Sequence, residues 1–471
     1  MRCAKLSLFL FLHMKSDIIV IGGGASGLMA AYNAANTLLE AGDPAQVTVL
    51  EKMPRPGRKV MITGKGRCNF TNLKDWNEFS GHIRSKSNFV KSAFYNLPSQ
   101  AVIDFFEGFG MHTVVERGDR AFPASYHASD VVDTLVNACL SKGVRIETEF
   151  EVESISYNPS FEIVATDGRK YSCKRLILAT GGLSYPTTGS TGDGYRWAEE
   201  SGHRIAPTFP SLTALVPKGY KDEAQLISTG KCHIARETPR SGFGEKLCGI
   251  QLKNVGVQLL VEDTVAESEF GDVDFTDGGI EGPVGFQISR KAVKSLVNGS
   301  RVAVELDLKP GVDLTDVTTR VKALWEEIGR DPRSSRLREK ERCRILLGKL
   351  MPWELIPAFQ ESHPEIITLE RRGRADTKVW VNLVSIAKAL KAWRFDIAGY
   401  VGYERAVVTA GGVSTEDVVP KTMESRIVPG LHFCGELLDV DCDTGGYNLQ
   451  SAFSTGALAG ISAARSFLER G

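Results

Sequence analysis

The chain has 471 residues, 42% hydrophobic and 24% charged, with 57 basic and 57 acidic side chains and a net charge of zero. That length leaves room for about three domains, the composition is that of a globular protein, and the even charge balance gives no sign of a polyanionic partner such as nucleic acid. Nine cysteines without a C-x-x-C pair or a Cys/His cluster point to neither a zinc site nor a disulfide framework and fit a reducing cytoplasm.

At the start, Arg2 and Lys5 precede a mostly apolar run over residues 6–12. The run is too short to span a bilayer, so no membrane segment is expected. No A-x-A-like cleavage site follows. Residues 1–13 therefore read as a non-native or disordered extension, with an export signal as the alternative. The aliphatic residues 18–21 then predict a buried strand, and Gly22, Gly24 and Gly27 form a G-x-G-x-x-G loop that carries Ala25 and Ser26 into a helix rich in alanine. Such a loop brings backbone N–H groups and a positive helix end to a pyrophosphate. A second strand, VTVLEK, ends in Glu51 and Lys52, with Glu51 placed 24 residues past Gly27. This is near the spacing of a carboxylate that binds a ribose.

The next stretch, KMPRPGRKVMITGKGRCNFTN, is rich in glycine and cations. Arg58, Lys59 and Arg67 can meet phosphates or a reduced flavin, while Thr63, Gly64, Gly66, Cys68 and Asn69 complete a loop able to approach a cofactor closely. Amphipathic spacing predicts helices over 89–109 and 129–142. Alternation at VRIETEFEVESI and a hairpin over 161–173 follow. A buried strand over 176–179 then runs into Thr180, Gly181 and Gly182. From about residue 207, punctuation by Gly and Pro predicts strands, DVDFTDGGIEGPVGFQIS among them, and helices are expected over 313–329, 336–359 and 385–394. The run over 330–344 holds seven Arg or Lys with Glu339 and Glu341 between them. It reads as a solvated helix face, since mixed signs pair at i,i+3 and i,i+4, and no aromatic residue interleaves with it. Near the end a strand over 431–434 stops at Gly435-Glu436, and Asn448 opens a helix of small residues whose N-terminus would favour a flavin anion.

The blocks GKGRCNFTN, RAFPASYHASDVV, LILATGGLSYPTTGSTGDGY, FTDGGIEGPVGFQIS, TAGGVSTEDVVPKTMES and GLHFCGELLDVDCDTGGYNLQSAFSTG resemble, in order, those of the BaiN-type NAD(P)/FAD-dependent oxidoreductases. The resemblance implies an α/β fold. A two-part Rossmann-like FAD-binding domain, residues 14–206 and 396–471, would enclose a β-rich insert at 207–330 and a small helical segment at 331–395. It implies noncovalent FAD, with the backbone at Val152 near the adenine and Gly435, Glu436, Asp439, Gly445, Gly446, Tyr447, Asn448 and Leu449 along the flavin and ribityl chain. Cys442 stands where the family usually has a small residue. The expected activity is hydride transfer from NAD(P)H through the flavin to an unsaturated or carbonyl small molecule. No second G-x-G-x-x-G follows a strand, so NAD(P)H would bind transiently. Cys68, His127 and Tyr185 are candidates for catalysis, each with packing or structural hydrogen bonding as the plainer role. A flavin-dependent tRNA-modifying or RNA-binding protein and a non-catalytic FAD-binding scaffold are the alternatives.

Overall fold

Residues Ile18–Ile21 have no polar face to turn toward water, and they form the central strand of a five-stranded parallel sheet. The computed structural model describes residues 13–222, 232–334, 337–372 and 376–470. It divides into one unit that runs to Phe209 and resumes at Val407, and a second spanning Pro210–Ala406.

In the first unit, Ile18–Ile21 (β1), Val47–Leu50 (β2), Arg145–Glu147 (β3), Arg175–Leu178 (β4) and Leu431–Phe433 (β5) lie in the order β5-β4-β1-β2-β3. Ile19 sits opposite Leu176 on one side and Thr48 on the other. A parallel strand covered on both faces needs an unbroken apolar run, and each aliphatic side chain so buried contributes about 1.5–3 kcal/mol. Helices Ala25–Glu40 (α1) and Tyr447–Arg470 (α2) pack along one another. A Cβ on Gly456 would overlap the Ser26 carbonyl, and one on Gly460 the Ala30 carbonyl, so glycine sets their approach. Segments from both ends of the chain thus complete one Rossmann-like α/β layer. A four-stranded sheet (His13–Lys15, Lys170–Cys173, Phe161–Ala165, Val152–Tyr157) and a three-stranded one (Thr71–Asn72, Arg120–Pro123, Thr113–Glu116) also belong to this unit. His13, the last residue of the expected extension, pairs with Lys170; residues 1–12 lie outside the described residues.

The second unit is β-rich. Its seven-stranded sheet runs Leu215–Pro217, Gly279–Glu281, Thr264–Thr276, Gln251–Val261, Val302–Asp307, Trp393–Val401, His233–Ile234. An additional pairing of Leu215–Pro217 with Trp393–Val401 gives it a barrel-like closure. The same unit carries the helices Gly282–Val297, Leu314–Arg330, Glu339–Leu350, Ile356–Ser362 and Leu383–Lys391, of which Gly282–Val297 packs on the sheet. No described helix is long and apolar enough to cross a membrane.

Four expected elements are corrected. The helix over 89–109 is two, Ser87–Asn96 and Ser99–Gly108, because Pro98 lacks an N–H and forces Leu97 out of the helical region. The block FTDGGIEGPVGFQIS is strand only to Glu281; from Gly282-Pro283 onward Val284, Ile288, Ala292 and Val293 recur at helical spacing and are buried on one helix. The helix over 336–359 stops at Leu350 before Pro352 and restarts at Ile356, with Arg336 outside the described residues. The helix over 385–394 ends at Lys391, and Arg394 belongs to the strand Trp393–Val401.

Candidate functional site

After β1 the chain turns at Gly22, whose φ of 105° suits glycine and where a Cβ would stand 2.5 Å from the Ala179 carbonyl oxygen. Gly24 caps α1 with extended backbone and without a side-chain cap, and a Cβ there would meet nothing within 4 Å. The first-turn N–H groups of α1 are therefore uncapped at the floor of a cleft, at the positive end of a 16-residue helix. Gly27 serves packing instead, since a Cβ on it would overlap the Gly22 carbonyl. Glu51, at the end of β2, is buried and accepts from Gly23 N at 2.7 Å and Met53 N at 2.8 Å. Burial raises the pKa of its carboxyl, against the lowering pull of those two amides.

The cleft encloses about 1390 Å³, part of it open to solvent, and lies wholly in the first unit. Of the residues expected at a cofactor, its walls include Gly22, Gly24, Ala25, Ser26, Glu51, Lys52, Arg58, Lys59, Thr63, Val152, Thr180, Gly181, Gly435, Glu436, Asn448 and Leu449. Two ion pairs tie distant segments across the walls. Lys59 meets Glu436 at 2.6 Å, and the other oxygen of Glu436 accepts from Thr409 N at 2.8 Å. Lys52 meets Asp193 at 2.7 Å; burial works to raise the Asp193 carboxyl, but the bonds from Lys52 and Thr191 outweigh it and its pKa is lowered.

Other expected residues stand behind the walls or away from them. A Cβ on Gly182 would lie 2.7 Å from Thr409 Cβ, which makes it a packing position. Cys68 is fully buried and its thiol is pushed up to about 12 by burial, so it is not a thiolate at neutral pH. Gly446 would bring a Cβ 2.9 Å from Asn69 Oδ1. Tyr447 stacks on His82 with ring centroids 4.2 Å apart, and Gly445, at φ 121°, gives its carbonyl to Asn72 Nδ2. Asp439 donates its N–H to Val413 O. Gly64 and Gly66 lie in a tight turn with left-handed backbone, at φ 57° and 86°, and Arg67 points to Glu116 and lies 4.3 Å over the Tyr126 ring. His127 is exposed and precedes the helix Ala128–Ser141, and the Tyr185 carbonyl accepts from Thr188. The cleft also includes Phe150, Trp197, Ser190, Asp193, Val408 and Thr455, which the sequence reading missed. Asp193 and Ser190 sit in TGSTGDGY, a block whose glycines lack the strand context of a nucleotide loop. Phe150 and Trp197 carry no local signal. Cys442 is buried, its N–H bonded to Asn448 Oδ1 at 2.9 Å, so the loop accommodates a thiol where a smaller residue was expected.

These features fit a dinucleotide. The uncapped helix end suits a diphosphate, Gly22 keeps the loop thin, and cleft-lining Thr180 holds a buried hydroxyl that has no partner in the described structure. A family model described as HI0933-like protein Rossmann domain matches residues 16–462. The chain belongs to the HI0933-like family. This HI0933-like chain is 33% identical, over 94% of its length and 98% of the relative's, to a protein named 3-dehydro-bile acid delta(4,6)-reductase from Clostridium scindens. It is also 30% identical to a ribosomal RNA dihydrouridine synthase from Haemophilus influenzae, covering 96% of this chain and 99% of the relative. A protein of the same name from Escherichia coli is 29% identical over 93% and 96%.

Proposed function

We propose that the protein is a cytoplasmic FAD-dependent oxidoreductase that reduces a carbon–carbon double bond conjugated to a carbonyl in a small molecule, with NAD(P)H as a transient donor. The observation that carries this reading is the cleft where the Gly22–Gly27 loop, buried Glu51 and the start of α2 meet. FAD, when bound, supplies the hydride transfer. The chain supplies placement. The N-terminus of α1 would hold the diphosphate, and Glu51, whose oxygens keep lone pairs beyond those given to Gly23 and Met53, would accept from the ribose. Phe150, Val152 and Trp197 offer an apolar wall for the adenine. Asn448 and Leu449 present the positive end of α2 toward the cleft, where it would favour negative charge.

Read as chemistry, the names of the relatives describe two acceptors of one kind, each with a double bond conjugated to a carbonyl. The names of the Haemophilus and Escherichia relatives favour a second reading, in which that bond lies in a uracil of RNA. Purified protein is expected to be yellow with releasable FAD, to bleach anaerobically with NADH or NADPH, and to recover its colour with an added enone. Colourless protein that takes up no FAD would remove the first claim. Colour recovered by a uridine-containing RNA but not by an enone would select the second reading. Because its thiol is buried and protonated, Cys68→Ala should bleach and recover at rates within about twofold of wild type. A stalled recovery in folded, FAD-loaded variant would restore the redox-thiol role.

A further inference from the structure

With the adenine on Phe150, Val152 and Trp197 and the diphosphate at α1, the reactive end of the cofactor falls to the start of α2, where Asn448 and Leu449 line the cleft. An acceptor meets the cofactor outside the cleft that the cofactor fills, so a proton donor is to be sought just beyond that wall. The segment His82–Arg84 lies there. It runs antiparallel to 441–443: the Arg84 N–H donates to Asp441 O at 2.9 Å, the Asp443 N–H to His82 O at 2.8 Å, and Ile83 bridges to Cys442. Cleft-lining Asn448 donates from Nδ2 to Cys442 O at 2.9 Å and Asp443 O at 3.0 Å, which ties this loop to the wall. The His82 ring lies flat on Tyr447, the residue before Asn448, with 17° between the planes.

Asp443 is buried, and its carboxylate accepts two bonds from the Arg84 guanidinium, that from Nη2 at 2.8 Å, and one from His82 Nδ1 at 3.0 Å. A carboxylate paired with a guanidinium is ionised and can only accept, so Nδ1 carries the proton of a neutral His82 and Nε2 keeps its lone pair. Among the described residues no hydrogen bond reaches Nε2, and 35% of the side chain is exposed. An imidazole oriented through Nδ1 by a buried carboxylate, with Nε2 open, is the arrangement of a general acid or base. The neighbouring groups suit the task less well. Burial pushes the Tyr447 phenol up, which makes it a neutral platform and a poor acid. Cys68 is buried and protonated, and Lys59 is held by Glu436.

We propose that His82 donates the proton that completes reduction of the double bond, with Asp443 and Arg84 as its positioning residues. The inference rests on the reductase reading above. Hydride from reduced FAD enters at the carbon β to the carbonyl, and the π pair moves onto the carbonyl oxygen as an enolate. The enolate then takes a proton at its α carbon: the Nε2–H bond of the imidazolium breaks, the C–H bond forms, and the neutral imidazole, still held by Asp443, is reprotonated from water. The test reduces the FAD-loaded full chain with dithionite and follows the return of flavin colour on anaerobic mixing with 2-cyclohexenone. His82→Ala should bleach as wild type does but recover about 100-fold more slowly or worse, and added imidazole should restore part of the rate. If His82→Ala does not fold, His82→Gln, which can still donate to Asp443, should show the same slow recovery. Nitrogen-15 spectra of histidine-labelled apoprotein, with the His82 signals identified by their loss in His82→Gln, should show Nδ1 protonated and Nε2 bare at mildly alkaline pH. Recovery within about twofold of wild type in a folded, FAD-loaded variant overturns the proposal. So does a slow recovery that imidazole leaves unchanged, which would make the ring a brace for Tyr447, or a spectrum with the proton on Nε2. Wild type that never regains its colour removes the reductase reading itself, and this inference with it.

Discussion

Glu51→Ala is expected to yield a folded protein that retains little FAD, with affinity lower by on the order of 100-fold or more. The carboxylate holds the Gly23 and Met53 amides at 2.7 and 2.8 Å, so its loss orphans two N–H groups in a buried place. Each such group costs about 1–3 kcal/mol, and the proposed ribose acceptor goes with them. The Gly22–Gly27 loop also loses one of its two ties to the end of β2, keeping only the bond from Gly22 N–H to Leu50 O at 2.9 Å to hold the start of α1 at the cleft. Fluorescence titration of apoprotein with FAD checks the effect; wild-type affinity in a folded variant would show that the carboxylate does not organise the site. The pH dependence has a definite sign. Burial raises the folded-state pKa of Glu51, so the folded state holds its proton more tightly than the unfolded chain. The contribution of Glu51 to apoprotein stability is therefore greatest below the ordinary glutamate range and falls as pH rises through the raised value. Relative to Glu51→Gln, wild-type apoprotein should lose stability across that window in denaturant titrations.

How much of this was legible beforehand depends on the range over which the signal acts. The strand over 18–21, the three glycines and Glu51 are read within one βαβ unit, where each residue type answers a local demand of strand, turn or helix end; of these Ile21, Gly22, Gly24 and Glu51 line one cleft, while Gly27 packs against the Gly22 carbonyl. The helix over 89–109 failed at a local signal that was present, Pro98, because the amphipathic period was allowed to run through it. The helix Gly282–Val297 failed because Gly278, Gly279 and Gly282 read as strand punctuation, although the apolar spacing beyond Pro283 is helical. Phe150 and Trp197 were beyond reach for another reason: each is an ordinary core aromatic in its own segment and becomes a cleft wall only through packing.

Gly460→Ala is expected to destabilise the protein by about 3 kcal/mol or more and to deplete FAD, a reversal of what the substitution does in an ordinary helix. Within an exposed helix alanine is favoured over glycine by about 1 kcal/mol. At Gly460 the new Cβ would overlap the Ala30 carbonyl oxygen and stand 2.9 Å from its carbon and 3.0 Å from Ala34 N. All three obstacles are backbone atoms of α1, which cannot rotate aside as a side chain would. Relief requires α2 to move off α1, and overpacking of this kind costs about 1–3 kcal/mol even where side chains can adjust. The displacement would reach the cofactor because the same two helices carry Gly24, Ala25 and Ser26 at one end and Asn448, Ser451 and Thr455 at the other. Thermal melts of the apoprotein and the flavin absorbance of purified material measure the two parts. An unchanged or higher melting temperature would mean that the helices are not held at this separation. Loss of stability with full FAD retention would show that their packing and the geometry of the cleft are independent.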